Sequence, residues 1–98
     1  MKVSIIVPTL NEELVLEKTL TQIRQLSPHE VIVSDGGSSD DTCLIAKKFS
    51  HSIIIGSAGR ARQMNAAADE ATGDLLLFLH ADNRLEPESY RKMLESMV

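Results

Sequence analysis

Four short apolar runs constrain this chain more than any other feature. Each closes on a turn or a polar cluster, and a helical repeat follows each. Val3 to Val7 is β-branched and stops at Pro8. Glu30 to Ser34 reads Glu-Val-Ile-Val-Ser, and Ile53-Ile54-Ile55 is a third run. Asp74 to Leu79 is almost wholly apolar and ends abruptly on His80-Ala81-Asp82. Runs of this kind, bounded by turn residues, read as strands buried on both faces. Leu16, Leu20 and Ile23 share one helical face behind a candidate cap at Asn11, with Glu12 and Glu13 favouring the positive end and Ser27-Pro28 as the stop. Ser38 and Ser39 can cap a second helix, with Asp40 and Asp41 in its first turn and Ile45 and Phe49 facing inward. A third helix spans Arg60 to Ala71, its small inner face made by Met64, Ala67, Ala68 and Ala71, and Gly73 ends it. Glu86-Pro87-Glu88 opens a fourth, which runs through Tyr90 and Leu94 to Val98. Strand and helix alternating in this way imply an α/β chain with a mostly parallel sheet, right-handed crossovers and flanking helices.

The 98 residues suffice for one domain, 1–98. A net charge of −4 and scattered basic residues argue against a nucleic-acid partner. Phe49, Phe78 and Tyr90 are the only aromatics, which leaves no stacking platform for a single strand. Cys43 is the single cysteine, so no disulfide forms within the chain and a reducing compartment is implied. No apolar run approaches the roughly 20 residues that span a bilayer. The opening Met1 to Val7 lacks the features of a signal peptide, so a cytoplasmic location is expected. The last helix shows no stop signal, and the chain is expected to be part of a longer one. An open sheet edge could pair with a second copy.

Each strand end carries polar residues: Pro8-Thr9-Leu10-Asn11-Glu12, Asp35-Gly36-Gly37-Ser38-Ser39, Gly59-Arg60, and His80-Ala81-Asp82. In a parallel sheet these four ends share one edge, the edge where ligands bind. Asp35 can accept from a nucleobase N–H or a ribose hydroxyl, or from local backbone N–H groups in an Asp-Gly turn. Gly36 and Gly37 permit positive φ and close ligand approach. Arg60 opens a helix, where its charge opposes the dipole, so an anion such as a diphosphate explains it better than the dipole does; a solvated surface arginine is the plainer alternative. Asp82 is a hard oxygen ligand suited to Mg²⁺ or Mn²⁺ on diphosphate oxygens. His80 could be a second ligand, which favours Mn²⁺, or could hydrogen-bond a phosphate. The plainer reading has Asp82 capping the next helix and His80 filling the turn. His29 and His51 each precede a strand and read as structural. No Walker loop, G-x-G-x-x-G or nucleophile elbow occurs.

Taken together these residues resemble the inverting glycosyltransferases of family 2, with the GT-A fold. The matching pieces are Ile6-Val7-Pro8-Thr9-Leu10-Asn11-Glu12-Glu13, Val31 through Thr42, Gly59-Arg60-Ala61-Arg62-Gln63-Met64-Asn65, and Ala71 through Asp82. They occur in family order over essentially the whole chain. The resemblance implies a three-layer, Rossmann-like α/β fold, the nucleotide-binding half of the GT-A architecture. It implies a nucleoside diphosphate sugar as donor and a divalent metal, Mn²⁺ or Mg²⁺. Pro8, Thr9 and Glu12 would border the nucleoside, Asp35 would contact the base, and Arg60 would lie beside the base or diphosphate. Ala81 would touch the ribose, and Asp82 would bind the metal, with His80 as a second candidate. The family's acidic motif usually begins with Asp where His80 stands here. Its acceptor site and general base lie beyond Val98, so no catalytic residue is assigned. The chain is expected to bind nucleotide weakly or not at all and to lack turnover. One rival is a non-catalytic assembly module with the same fold. A nucleotidyltransferase ranks third, because the loop after the first strand is acidic where a triphosphate needs a basic, glycine-rich one.

Overall fold

The computed structural model describes residues 1–83 and 85–97. Eight elements alternate: β1 (Val3–Thr9), α1 (Leu16–Arg24), β2 (Glu30–Asp35), α2 (Thr42–Phe49), β3 (Ser52–Ile55), α3 (Arg60–Glu70), β4 (Leu75–Phe78) and α4 (Pro87–Ser96). The strands form one parallel sheet in the order β3-β2-β1-β4. The chain therefore steps outward from β1 to β3, and α3 carries it back to the free side of β1.

Side-chain alternation divides the interior into two layers. Val3, Ile5, Val7, Val31 and Val33 project to one face, where they pack with Leu16, Leu20 and Ile23 of α1, Ala46 of α2 and Tyr90 of α4. Ile6 and Ile32 project to the other face and meet Ala67 of α3, with Ile54, Ala68, Ala71 and Leu76 around them. The expected three-layer α/β fold is what the chain adopts. The small inner face of α3 lets it lie against β1 and β2.

Three expectations about boundaries need correction. Pro8 does not end β1, which runs on to Thr9 in register with Asp35 of β2. Its missing N–H points away from β2, toward a neighbour that has already left the ladder: β4 pairs only as far as Ile6. Asn11 does not cap α1, and no side chain caps α1 or α2 at the expected residues. Gly73 is not a left-handed helix stop either. Its place is one of close approach, since an added Cβ would lie 2.5 Å from Ser4 Oγ and 2.8 Å from the Lys2 carbonyl oxygen. The helix that was expected to reach Val98 is described to Ser96, and Val98 lies outside the described residues.

Candidate functional site

The loops after β1 and β2 are stitched to each other. Asn11 adopts φ +53°, a left-handed conformation that asparagine tolerates. In that pose its N–H donates to Ser38 Oγ at 2.8 Å and its Oδ1 accepts the Ser39 N–H at 2.9 Å. The Glu12 N–H donates to Thr42 Oγ1 at 2.8 Å, and the Asp41 N–H donates to Glu13 Oε2 at 3.1 Å. Asp40 accepts the Thr42 N–H at 2.9 Å and also its hydroxyl. The residues that read as helix caps thus hold two loops together.

Asp35 is the hub of this arrangement. Its Oδ1 accepts from Thr9 Oγ1 at 2.7 Å and Ser38 Oγ at 2.6 Å; its Oδ2 accepts the N–H groups of Gly37 at 2.9 Å and Ser38 at 2.7 Å. A carboxylate has about four acceptor positions, and all are engaged. Gly37 takes φ +95°, which turns these N–H groups back onto the carboxylate. Burial alone would raise the Asp35 pKa, but the Ser38 hydroxyl and N–H, then Thr9 and Gly37, outweigh it and hold the carboxyl below its ordinary range. Of the two readings of Asp35, the turn is the one seen.

Exposure separates the expected site residues into two groups. Thr9, Asp35 and Ala81 are buried, at 2%, 1% and 2% exposed. The Ala81 methyl packs into the core and its carbonyl accepts the Thr19 hydroxyl from α1. Asp35 lies at the end of β2 with its oxygens engaged by the turn. Pro8, Glu12 and His80 are half-buried, while Arg60 and Asp82 are exposed. Neither the Arg60 nor the Asp82 side chain makes a hydrogen bond or ion pair among the described residues. All of them lie at or follow the carboxyl ends of parallel strands and so belong to one rim. β2 and β4 flank β1 on that rim, which sets their axes about 10 Å apart. Asp82 and Asn83 border a groove of about 370 Å³ against Leu14, Val15, Lys18, Thr19 and Gln22 of the α1 region. A wider depression of about 510 Å³ lies off the rim between α1 and α2, at Thr21, Arg24, Gln25, Lys48 and Phe49.

Among the described residues no three His, Cys, Asp or Glu side chains come together to hold a metal. The rim therefore offers Asp82, with His80 two residues away, and no closed cage. That donor set fits Mg²⁺ or Mn²⁺, which usually take one or two protein ligands and complete their shells with phosphate oxygens and water. His29 and His51 do serve the framework: His29 Nε2 lies 3.0 Å from Thr72 Oγ1, and His51 Nδ1 accepts the Val31 N–H at 2.9 Å.

Sequence reasoning passed over Gln63. This buried glutamine donates from Nε2 to the carbonyl oxygens of Thr9 and Ser34, each at 2.8 Å, and accepts the Gly59 N–H at 3.1 Å. One signal was available: Gln63 falls four residues before Ala67 and eight before Ala71, on the inner face of α3. A polar residue at such a position needs buried partners.

The parallel sheet and its rim define a three-layer α/β domain of the doubly wound class. Residues 4–98 match the family model for glycosyl transferase family 2, and the chain belongs to that family. A PGL/p-HBAD biosynthesis glycosyltransferase of Mycobacterium tuberculosis is 41% identical over 91 residues, 84% of this chain and 36% of that protein. The crystal structure of Staphylococcus aureus TarS 1–349 is 26% identical, with a TM-score of 0.81 over 97% of this chain and 32% of that one. Glucosyl-3-phosphoglycerate synthase of M. tuberculosis, solved with Mn²⁺, UDP-glucose and phosphoglyceric acid, is 25% identical, with a TM-score of 0.77 over 88% of this chain and 35% of that one. The chain spans about a third of the length of these relatives.

Proposed function

We propose that these residues are the donor-binding half of an inverting glycosyltransferase, which moves a sugar from a nucleoside diphosphate sugar to an acceptor hydroxyl. The observation that carries the reading is the alignment of four parallel strand ends, with their polar loops, along one edge of a family 2 domain. In this account Pro8 and Glu12 border the nucleoside, and Arg60 lies beside the base or the diphosphate, its charge favouring the diphosphate. Asp82, with His80, takes the divalent cation. Thr9 borders the nucleoside with Pro8 and Glu12, Asp35 meets the base, and Ala81 lies against the ribose. The M. tuberculosis synthase solved with Mn²⁺ and UDP-glucose supports the choice of donor and metal. When bound, such a cation neutralises charge on the departing diphosphate. The chain's own part is to bind and orient the donor. The base that deprotonates the acceptor hydroxyl is assigned to a segment outside these residues, so the chain alone is expected to bind nucleotide weakly and to show no turnover.

Calorimetric titration with uridine and guanosine diphosphates, with and without Mn²⁺, tests this. The reading expects weak heat from at least one nucleotide that depends on the metal and is lost in Asp82→Asn. Absence of metal-dependent heat from both would overturn it and favour a non-catalytic assembly module. Sugar transfer by the chain alone would overturn the division into halves.

A further inference from the structure

Gln63 bonds to three separate stretches of the rim. It is 7% exposed and lies in the first turns of α3 on the side facing the sheet. Its amide fits only one way round. The reverse orientation would set the –NH₂ against the Gly59 N–H and the oxygen against two carbonyls. Gly36 passes directly over it, and a Cβ there would lie 2.9 Å from Gln63 Oε1 and 3.0 Å from Ala58 Cα. One side chain therefore links the end of β1, the end of β2, the turn after Asp35 and the residue preceding Arg60. An apolar side chain of equal length would fill the same space but remove the bonds that tie the first turn of α3 to the Thr9 and Ser34 carbonyls and to the Gly59 N–H. Arg60 itself is exposed, so its backbone position is set chiefly by what holds the first turn of α3.

We propose that Gln63 is a positioning residue that fixes where Arg60 meets the donor's diphosphate, by pinning the start of α3 to the ends of β1 and β2. The inference rests on the reading of the rim as a nucleoside diphosphate site. A residue that merely fills the core would weaken every ligand alike, whereas Gln63 acts through Arg60 and should be felt by the phosphates.

The test is a double-mutant cycle on the chain itself. UDP and uridine are titrated in millimolar Mg²⁺ and followed by backbone amide NMR shifts, for the unmutated chain, Gln63→Met, Arg60→Ala and the double variant. Thermal unfolding checks each fold. Gln63→Met is expected to weaken UDP about fivefold, the order of one lost hydrogen bond to a charged group. In the Arg60→Ala background its further effect should be under about twofold, and uridine should bind alike throughout. Gly36→Ala crowds the same amide without removing it and should mimic Gln63→Met; if Gln63→Met fails to fold, that variant decides the matter. Unchanged UDP binding in folded variants would overturn the inference alone, as would equal losses with and without Arg60. No UDP binding by the unmutated chain would overturn the nucleotide reading and the inference with it.

Discussion

Asp35 shows how one residue can be decided by neighbours that are distant in sequence. From its strand end it can serve both a ligand and its own turn, and the turn is built by Thr9, Ser38 and two N–H groups at its oxygens. Only the Asp-Gly part was legible beforehand. The Thr9 hydroxyl arrives through strand register, 26 positions away. Asp35→Asn keeps the shape but places an –NH₂ against donors, and is expected to destabilise the fold by about 1–3 kcal/mol in chemical denaturation at neutral pH. The pH dependence follows from the depressed pKa. The unfolded chain binds a proton near pH 4 while the folded one still resists it. The contribution is thus complete at neutral pH, declines as pH falls through about 4, and is gone below the folded pKa. The same denaturation series at falling pH should show a steeper loss for the unmodified chain than for Asp35→Asn. Ala81 and Gln63 carry a related lesson. Burial of one and threefold bonding of the other depend on helices packed across the sheet, which pattern alone does not reveal.

At the level of elements, strands and helices were legible because period and length identify them, and because Gly, Pro and Asn-rich stretches separate them. Their ends were less so. Ser38, Ser39, Asp40 and Asn11 have the chemistry of helix caps, yet that chemistry is spent between loops. Gly73 joins a second polar cluster at the opposite edge of the sheet. There Ser4 Oγ donates to Glu30 Oε2 at 2.6 Å, Glu30 accepts the Thr72 N–H at 2.6 Å, and the Gly73 N–H donates to Ser4 Oγ at 2.9 Å. Gly73→Ala would drive a methyl into Ser4 and the Lys2 carbonyl and is expected to cost about 1–3 kcal/mol. Gly56→Ala meets nothing within 4 Å and should stay within about 0.5 kcal/mol of the original. Paired thermal melts measure the contrast, and equal shifts would contradict the packing described here.

For the whole molecule, the order β3-β2-β1-β4 is what makes a site conceivable. Residues spread from Pro8 to Asp82 gather because parallel strands put their ends on one edge. That gathering was legible in the sequence, since polar clusters followed each apolar run. The division between exposed Arg60 and Asp82 and buried Thr9, Asp35 and Ala81 was not, because it depends on how loops fold over the rim. Arg60→Ala should weaken UDP by about three- to tenfold and leave stability unchanged, as suits an exposed cation with no side-chain partner among the described residues. The most direct measurement is an amide NMR spectrum of the chain titrated with UDP in Mg²⁺, repeated with trace Mn²⁺. Shifts should concentrate in residues 8–12, 36–39, 59–62 and 80–83, and paramagnetic broadening should be strongest around Asp82. Shifts confined to the α1–α2 depression, or broadening centred away from His80 and Asp82, would contradict the account.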